Sequence, residues 1–272
     1  YRAAEAAFQS NDTDLWMLLR DEILKFVKPL RALENEYNAV KYIDGDIGVR
    51  WIKSNIATGQ YEKALQQIKQ FRSTCPDLLE EGSFADLSLM VFESWALIYS
   101  GRDYEKAKGI LEGVFASLNK LTDEFEPEFD EWRLNLLVAY AQDVMGYMYR
   151  SQGNFAKAIE YFQKNIRIWR ELHAASELAA TLNNLSWALS EMGDFQSALT
   201  YCEDGLSLRR RLGHRYPVAL SLNTLGIIET RNGQPERARF RCEQALGVFR
   251  DLEQPRGIGL ASIALAEALR RM

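Results

Sequence analysis

Cysteine is scarce in this sequence and so is histidine, with three of one and two of the other in 272 residues. Cys75, Cys202 and Cys242 make neither a disulfide framework nor a metal-ligand set. His173 and His214 fall in separate stretches between helices, so no His–Glu metal spacing shares one helix face. No apolar run approaches the roughly 20 residues that span a bilayer, and no signal-peptide pattern opens the chain. Excess positive charge is missing too. A formal charge of −5 argues against a nucleic-acid partner, because phosphate binding wants clustered Lys and Arg. The 17 glycines and 6 prolines stand mostly where one helix gives way to the next, which suits an all-α chain.

What is present is one phrase said three times. It reads Gly153-Asn154-Phe155-Ala156-Lys157-Ala158, then Gly193-Asp194-Phe195-Gln196-Ser197-Ala198, then Gly233-Gln234-Pro235-Glu236-Arg237-Ala238, at a period of forty residues. A fixed period in the range of roughly 20–50 residues marks a solenoid, whose units bury their apolar faces against their neighbours. The phrase is also a mechanical instruction. Each glycine can take the positive φ that ends a first helix. Asn154 and Asp194 then stand as N-caps of a second helix, and Pro235 takes the first helical position.

Small residues recur at matched places, with Ala158, Ala198 and Ala238 in the second helix and Gly146, Ser186 and Gly226 in the first. Such pairs let helix axes approach to about 8 Å. Around them the apolar spacing is helical, as in Phe195, Ala198, Leu199, Cys202 and Leu206 or Phe155, Ala158, Ile159, Phe162 and Ile166. Cys202 and Cys242 lie on this stripe and read as small core residues. The expected fold is an all-α, right-handed α-solenoid, a superhelix of antiparallel helix pairs.

Gly146, Tyr149, Gly153, Phe155 and Ala158 resemble the signature of the tetratricopeptide repeat, and so do Ser186, Leu189, Gly193, Phe195 and Ala198. A third copy keeps Gly226, Gly233 and Ala238 but departs at Glu229 and Pro235. The forty-residue unit is similar to those of kinesin light chains and of MalT-like bacterial signalling regulators. The segments Arg170-Glu171-Leu172, Arg211-Leu212-Gly213-His214 and Arg250-Asp251-Leu252 look more like the regulators. The resemblance covers residues 136–272 strongly and fades upstream.

Along the chain, residues 1–48 read as an irregular helical N-terminal part, in which Asp44-Gly45-Asp46 is a turn. It is not a calcium loop, since Asn55 stands where the bidentate Glu belongs. Residues 49–120 hold two divergent units, around Tyr61-Glu62-Lys63-Ala64 and Tyr104-Glu105-Lys106-Ala107. An acidic insertion, 121–131, alternates acids with Phe125 and Phe129; it reads as a solvated loop or as a contact site for a basic partner. Residues 132–272 carry three regular units and a final half-unit helix. The chain opens on Tyr1 and closes on Met272 inside a first-helix pattern, and is expected to be a piece of a longer protein.

No catalytic constellation is found. Gly257-Ile258-Gly259 has neither a preceding strand nor a third glycine, so it is not a nucleotide loop. Arg209-Arg210-Arg211, the one basic run, reads as a solvated helix end favoured by the dipole, with an anion contact as the alternative. No catalytic residue, metal or cofactor is expected.

The resemblance implies a concave groove lined by first helices. Carried over residue by residue, it points to Tyr140, Asp143, Tyr147, Arg150, Asn183, Trp187, Asn223, Thr230 and Arg231. Asp143, Asn183 and Asn223 would form a polar ladder able to pair with an extended peptide backbone. Tyr147 and Trp187 would be aromatic anchors, unless Trp187 simply packs between repeats. The expected function is non-catalytic binding of a protein or peptide ligand, in a sensor or interaction segment of a larger cytoplasmic bacterial signalling protein. The partners would be that ligand and other domains of the parent chain, with no nucleic acid and no membrane. A free-standing peptide receptor of the quorum-sensing type and a passive assembly scaffold are the alternatives.

Overall fold

The computed structural model describes residues 60–74, 81–121 and 130–272, together with Ile52, Ile56 and Leu79. The expectations for residues 1–48, for Cys75 and for most of the acidic insertion lie outside the described residues. Within them there are ten α-helices and no strand. They are α1 (Tyr61–Thr74), α2 (Phe84–Ser100), α3 (Tyr104–Leu121), α4 (Asp130–Ser151) and α5 (Phe155–Glu171). Then follow α6 (Ala175–Glu191), α7 (Phe195–Leu212), α8 (Arg215–Arg231), α9 (Pro235–Asp251) and α10 (Pro255–Arg270). The chain forms two compact units, Tyr1–Val144 and Met145–Met272.

In the first unit α2 packs against both α1 and α3. Ser83 caps α2 by accepting from the Asp86 amide at 3.2 Å, and Gly101 ends it at φ 70°. Ile52, Ile56, Ala64, Ile68, Leu89, Phe92 and Ala96 form a buried cluster. Glu93 ties the two outer helices to α2, lying 3.2 Å from Arg72 on α1 and 2.9 Å from Lys106 on α3.

The second unit repeats one hairpin. Gly153, Gly193 and Gly233 sit at φ 76°, 82° and 73°, where a side chain would be strained and glycine is not. Asn154 and Asp194 follow as side-chain caps, accepting from the Lys157 and Ser197 amides at 3.3 and 3.1 Å. The chain also turns left-handed between hairpins, at His173 (53°), Gly213 (73°) and Glu253 (51°), again forty residues apart.

The second helix α7 packs between α6 and α8, and α9 between α8 and α10. The first helices α6, α8 and α10 also touch one another in succession, forming a row. Ala158, Ala198 and Ala238 are wholly buried, as is Ser186. The small positions are needed where they stand. A Cβ on Gly146 would come within 2.6 Å of the Phe162 ring, and one on Gly226 would collide with Cys242 Sγ. Phe162, Trp169 and Phe249 are fully buried second-helix side chains. Each contributes about 1.5–3 kcal/mol by leaving water.

One expectation is corrected. Arg210 and Arg211 are exposed, but Arg209 is buried at 7% exposure, not solvated at the helix end. Its Nη1 donates to the Pro217 carbonyl at 2.9 Å and to Ser221 Oγ at 2.7 Å, so its long side chain ties α7 to the start of α8. Burial pulls its pKa down to about 10, still charged at neutral pH. The negative end of α7, where Arg209 stands in the last turn, favours its positive charge.

Candidate functional site

Three strides of the second unit meet on the first-helix row around Trp187. Arg150, from the last turn of α4, places its guanidinium 4.3 Å from the Tyr147 ring centroid and 4.9 Å from that of Trp187. Arg231, from the last turn of α8, lies 5.6 Å from the same indole. Each such contact is worth about 0.5–2 kcal/mol, more where water is excluded. Both cations are also anchored by hydrogen bonds. Arg150 donates to Asn184 Oδ1 at 2.9 Å; Arg231 donates to Ser190 Oγ at 2.9 Å and to Glu191 Oε1 at 2.6 Å. Trp187 itself meets Phe155 edge-on at 5.8 Å and is half-buried, so it packs within the stack.

Beyond Arg231 the row opens into a recess of about 350 Å³ between α8 and α10. Asn223, Ile227, Thr230 and Arg231 line one wall, and Leu260, Ile263, Ala264, Glu267 and Arg271 the other. The charged residues here are already engaged. Glu267 accepts from Arg270 and Arg271, which hold its carboxyl down to about 2. Asn223 is the exception. It is 6% exposed, and its Oδ1 meets no donor among the described residues. Leaving such a group unpaired costs about 1–3 kcal/mol.

Of the residues the sequence singled out, Tyr147, Arg150, Trp187 and Arg231 come together in one cluster, and Asn223 and Thr230 share the recess with Arg231. Asn183 is half-buried and lies 4.0 Å from Cys202 Sγ. Thr230 is buried, and its hydroxyl donates back to the Gly226 carbonyl at 2.8 Å. Tyr140 and Asp143 belong to the first unit, where Tyr140 packs 5.6 Å from Phe92 and 6.3 Å from Trp95. Sequence reasoning passed over Asn184, Ser190 and Glu191, which anchor the arginines, and Ile227, Leu260, Ile263, Glu267 and Arg271, which build the recess. Glu191 and Arg231 occupy the same place in successive units, a signal the forty-residue stride already contained.

Chemically this surface can bind but has little to react with. Burial pushes the Cys202 and Cys242 thiols up to about 12, so neither supplies a thiolate at neutral pH. Among the described residues no group of three or more His, Cys, Asp or Glu is placed to hold a metal ion, and no helix is long and apolar enough to cross a membrane.

Stacked helix pairs with small residues at each crossing define an all-α repeat protein. Residues 137–211 match the model of the tetratricopeptide repeat. No curated protein matches it significantly. Among solved structures, BtubC (BKLC) from P. vanneervenii superposes with a TM-score of 0.56 at 18% identity, over 81% of this chain and 84% of that one. A signal transduction ATPase with numerous domains from Pyrococcus horikoshii, bearing a tetratricopeptide repeat sensor, gives 0.61 at 14% identity. That match covers 93% of this chain and 38% of the other. A Rap protein complexed with Competence and Sporulation Factor gives 0.54 at 14% identity, over 98% and 78%. At these identities the likeness is one of fold.

Proposed function

We propose that this chain is a non-catalytic peptide- or protein-binding repeat segment whose contact surface is the row of first helices. The observation that carries this reading is the meeting of Arg150, Trp187 and Arg231 from three successive strides. A half-buried indole flanked by two anchored guanidinium groups is the kind of rigid aromatic and arginine anchor on which binding energy concentrates. With the half-buried Asn183 one turn before it on the same helix, the row also offers a hydrogen-bonding amide to an extended chain.

We read the segment as a sensor region of a larger bacterial cytoplasmic signalling protein; the sensor part of that reading is supported by the similarly folded Pyrococcus structure, described as having a tetratricopeptide repeat sensor. The Rap protein, which was solved with Competence and Sporulation Factor bound, favours a free-standing peptide receptor as the second reading. Flanking switch domains in the parent chain would decide for the first.

The test is a peptide selected from a random displayed library against the wild-type chain. The double substitution Asn183→Ala with Trp187→Ala is expected to abolish its binding while circular dichroism shows unchanged helicity. Retained affinity would move the site off the first-helix row.

A further inference from the structure

We infer that Arg150 is a placeholder: its guanidinium fills a slot built by Tyr147, Trp187 and Asn184, and an arginine side chain of the bound peptide displaces it. This rests on the peptide-binding reading and names the residue type that the site takes.

The aromatic anchor that binding needs is already in use. Arg150 lies 4.3 Å from the Tyr147 ring centroid and 4.9 Å from that of Trp187, close enough to be held by both π systems. Its Nη1 donates to Asn184 Oδ1 at 2.9 Å. Two rings and one acceptor suit a planar, weakly hydrated guanidinium better than a compact, strongly hydrated ammonium. All four residues are half-buried rather than enclosed.

Arg150 is also the arginine that leaves most readily. At the ends of later first helices the arginines hold carboxylates, Arg231 on Glu191 at 2.6 Å and Arg270 and Arg271 on Glu267 at 2.8 and 2.7 Å. Among the described residues Arg150 meets no carboxylate, and its tether is a neutral carboxamide. Its release therefore breaks no ion pair. The vacated slot then fits a second guanidinium, whereas a hydrocarbon side chain would leave Asn184 Oδ1 without that donor. A formal charge of −5 draws a cationic peptide towards the chain. Because Arg150 competes for the slot, apparent affinity is reduced to the fraction of molecules in which the slot stands open. Truncating a placeholder tightens binding, while truncating a contact residue weakens it. The sign of the effect separates the two.

The experiment titrates Nα-acetyl-L-argininamide into the full chain and follows the Trp187 Nε1–H and Arg150 Nε–H signals by NMR, with Nα-acetyl-L-lysinamide as the control of equal charge. In the wild type, saturable shifts of both signals are expected with a dissociation constant on the order of 10 mM for the arginine probe, and none for the lysine probe. Arg150→Ala should tighten the arginine probe at least about tenfold, and adding Trp187→Ala to it should remove the binding. Circular dichroism checks the fold, and Arg150→Gln carries the same test if the alanine variant loses helicity. No saturable shift in the wild type up to on the order of 100 mM, equal binding of the two probes, or unchanged or weaker binding by the Arg150 variant would overturn the inference. The displayed peptide separates the two readings. If Asn183→Ala with Trp187→Ala abolishes its binding and Arg150→Ala weakens it or leaves it unchanged, the placeholder fails and the groove stands. If it responds to neither variant, both fail.

Discussion

Arg231 Nη2 lies 2.6 Å from Glu191 Oε1, and the two residues hold the same place in consecutive repeats, forty residues apart. The ion pair therefore links one stride to the next along the first-helix row. Both side chains are half-buried, so screening by solvent is incomplete and the pair should be measurable. A double-mutant cycle with Glu191→Gln and Arg231→Gln is expected to give a coupling of about 0.5–1 kcal/mol in urea unfolding. Additive single effects would mean that the contact is not formed in solution.

Tight helix crossings make a second prediction. Gly226 faces Cys242 Sγ with no room for a methyl group, and the Ala238 carbonyl lies only 3.2 Å from where a Cβ would sit. Gly226→Ala should cost about 1–3 kcal/mol despite its better helix propensity. Combining it with Cys242→Ala should recover part of that loss, because the colliding sulfur is removed. Ala198→Leu should overpack its own crossing by a similar about 1–3 kcal/mol. Unchanged melting midpoints for both variants would contradict the register.

The left-handed turns between hairpins provide a third. Glu253 holds φ 51° at the place where Gly213 holds 73°. A residue with a Cβ is strained there by about 1–2 kcal/mol, part of which glycine returns as chain entropy when unfolded. Glu253→Gly should therefore stabilise the chain by about 0.5–1 kcal/mol, and so should His173→Gly. Thermal unfolding reads the sign directly.

Much of this was legible because the signals are local. A glycine followed by Asn154 or Asp194 specifies a helix end and the next cap within a few residues. The helices α5, α7 and α9 begin at Phe155, Phe195 and Pro235, where the repeated phrase places them. What could not be read depends on how helices a stride apart lie against each other. Nothing in Arg209-Arg210-Arg211 tells which arginine reaches Ser221, and the recess exists only where α10 meets α8. The left-handed turns at His173 and Glu253 were hidden because no glycine marks either place.

Glu229 adds a pH dependence. It is 2% exposed where its counterpart Leu189 is apolar; one oxygen lies 3.6 Å from Arg241, and the other meets no donor among the described residues. Burial raises its pKa above the ordinary carboxylate value, and the nearby Arg241 and Arg237 only partly oppose this. The folded state thus holds the proton more tightly than the unfolded one. Its contribution to stability is fully present below about pH 4.3 and is lost as pH rises through the raised folded value. Glu229→Gln should flatten that limb of the stability curve, raising stability more at pH 8 than at pH 5. Parallel curves for the two proteins would assign the dependence elsewhere.

The central claim is that first helices, not second helices, form the working surface. Isothermal titration of the display-selected peptide against Trp187→Ala and Phe240→Ala tests it most directly. Trp187 stands on the first-helix row, and Phe240, 56% exposed, stands on the second helix α9. Affinity is expected to fall at least about tenfold for Trp187→Ala and to stay at the wild-type value for Phe240→Ala. A loss confined to Phe240→Ala, or an equal loss in both, would contradict it.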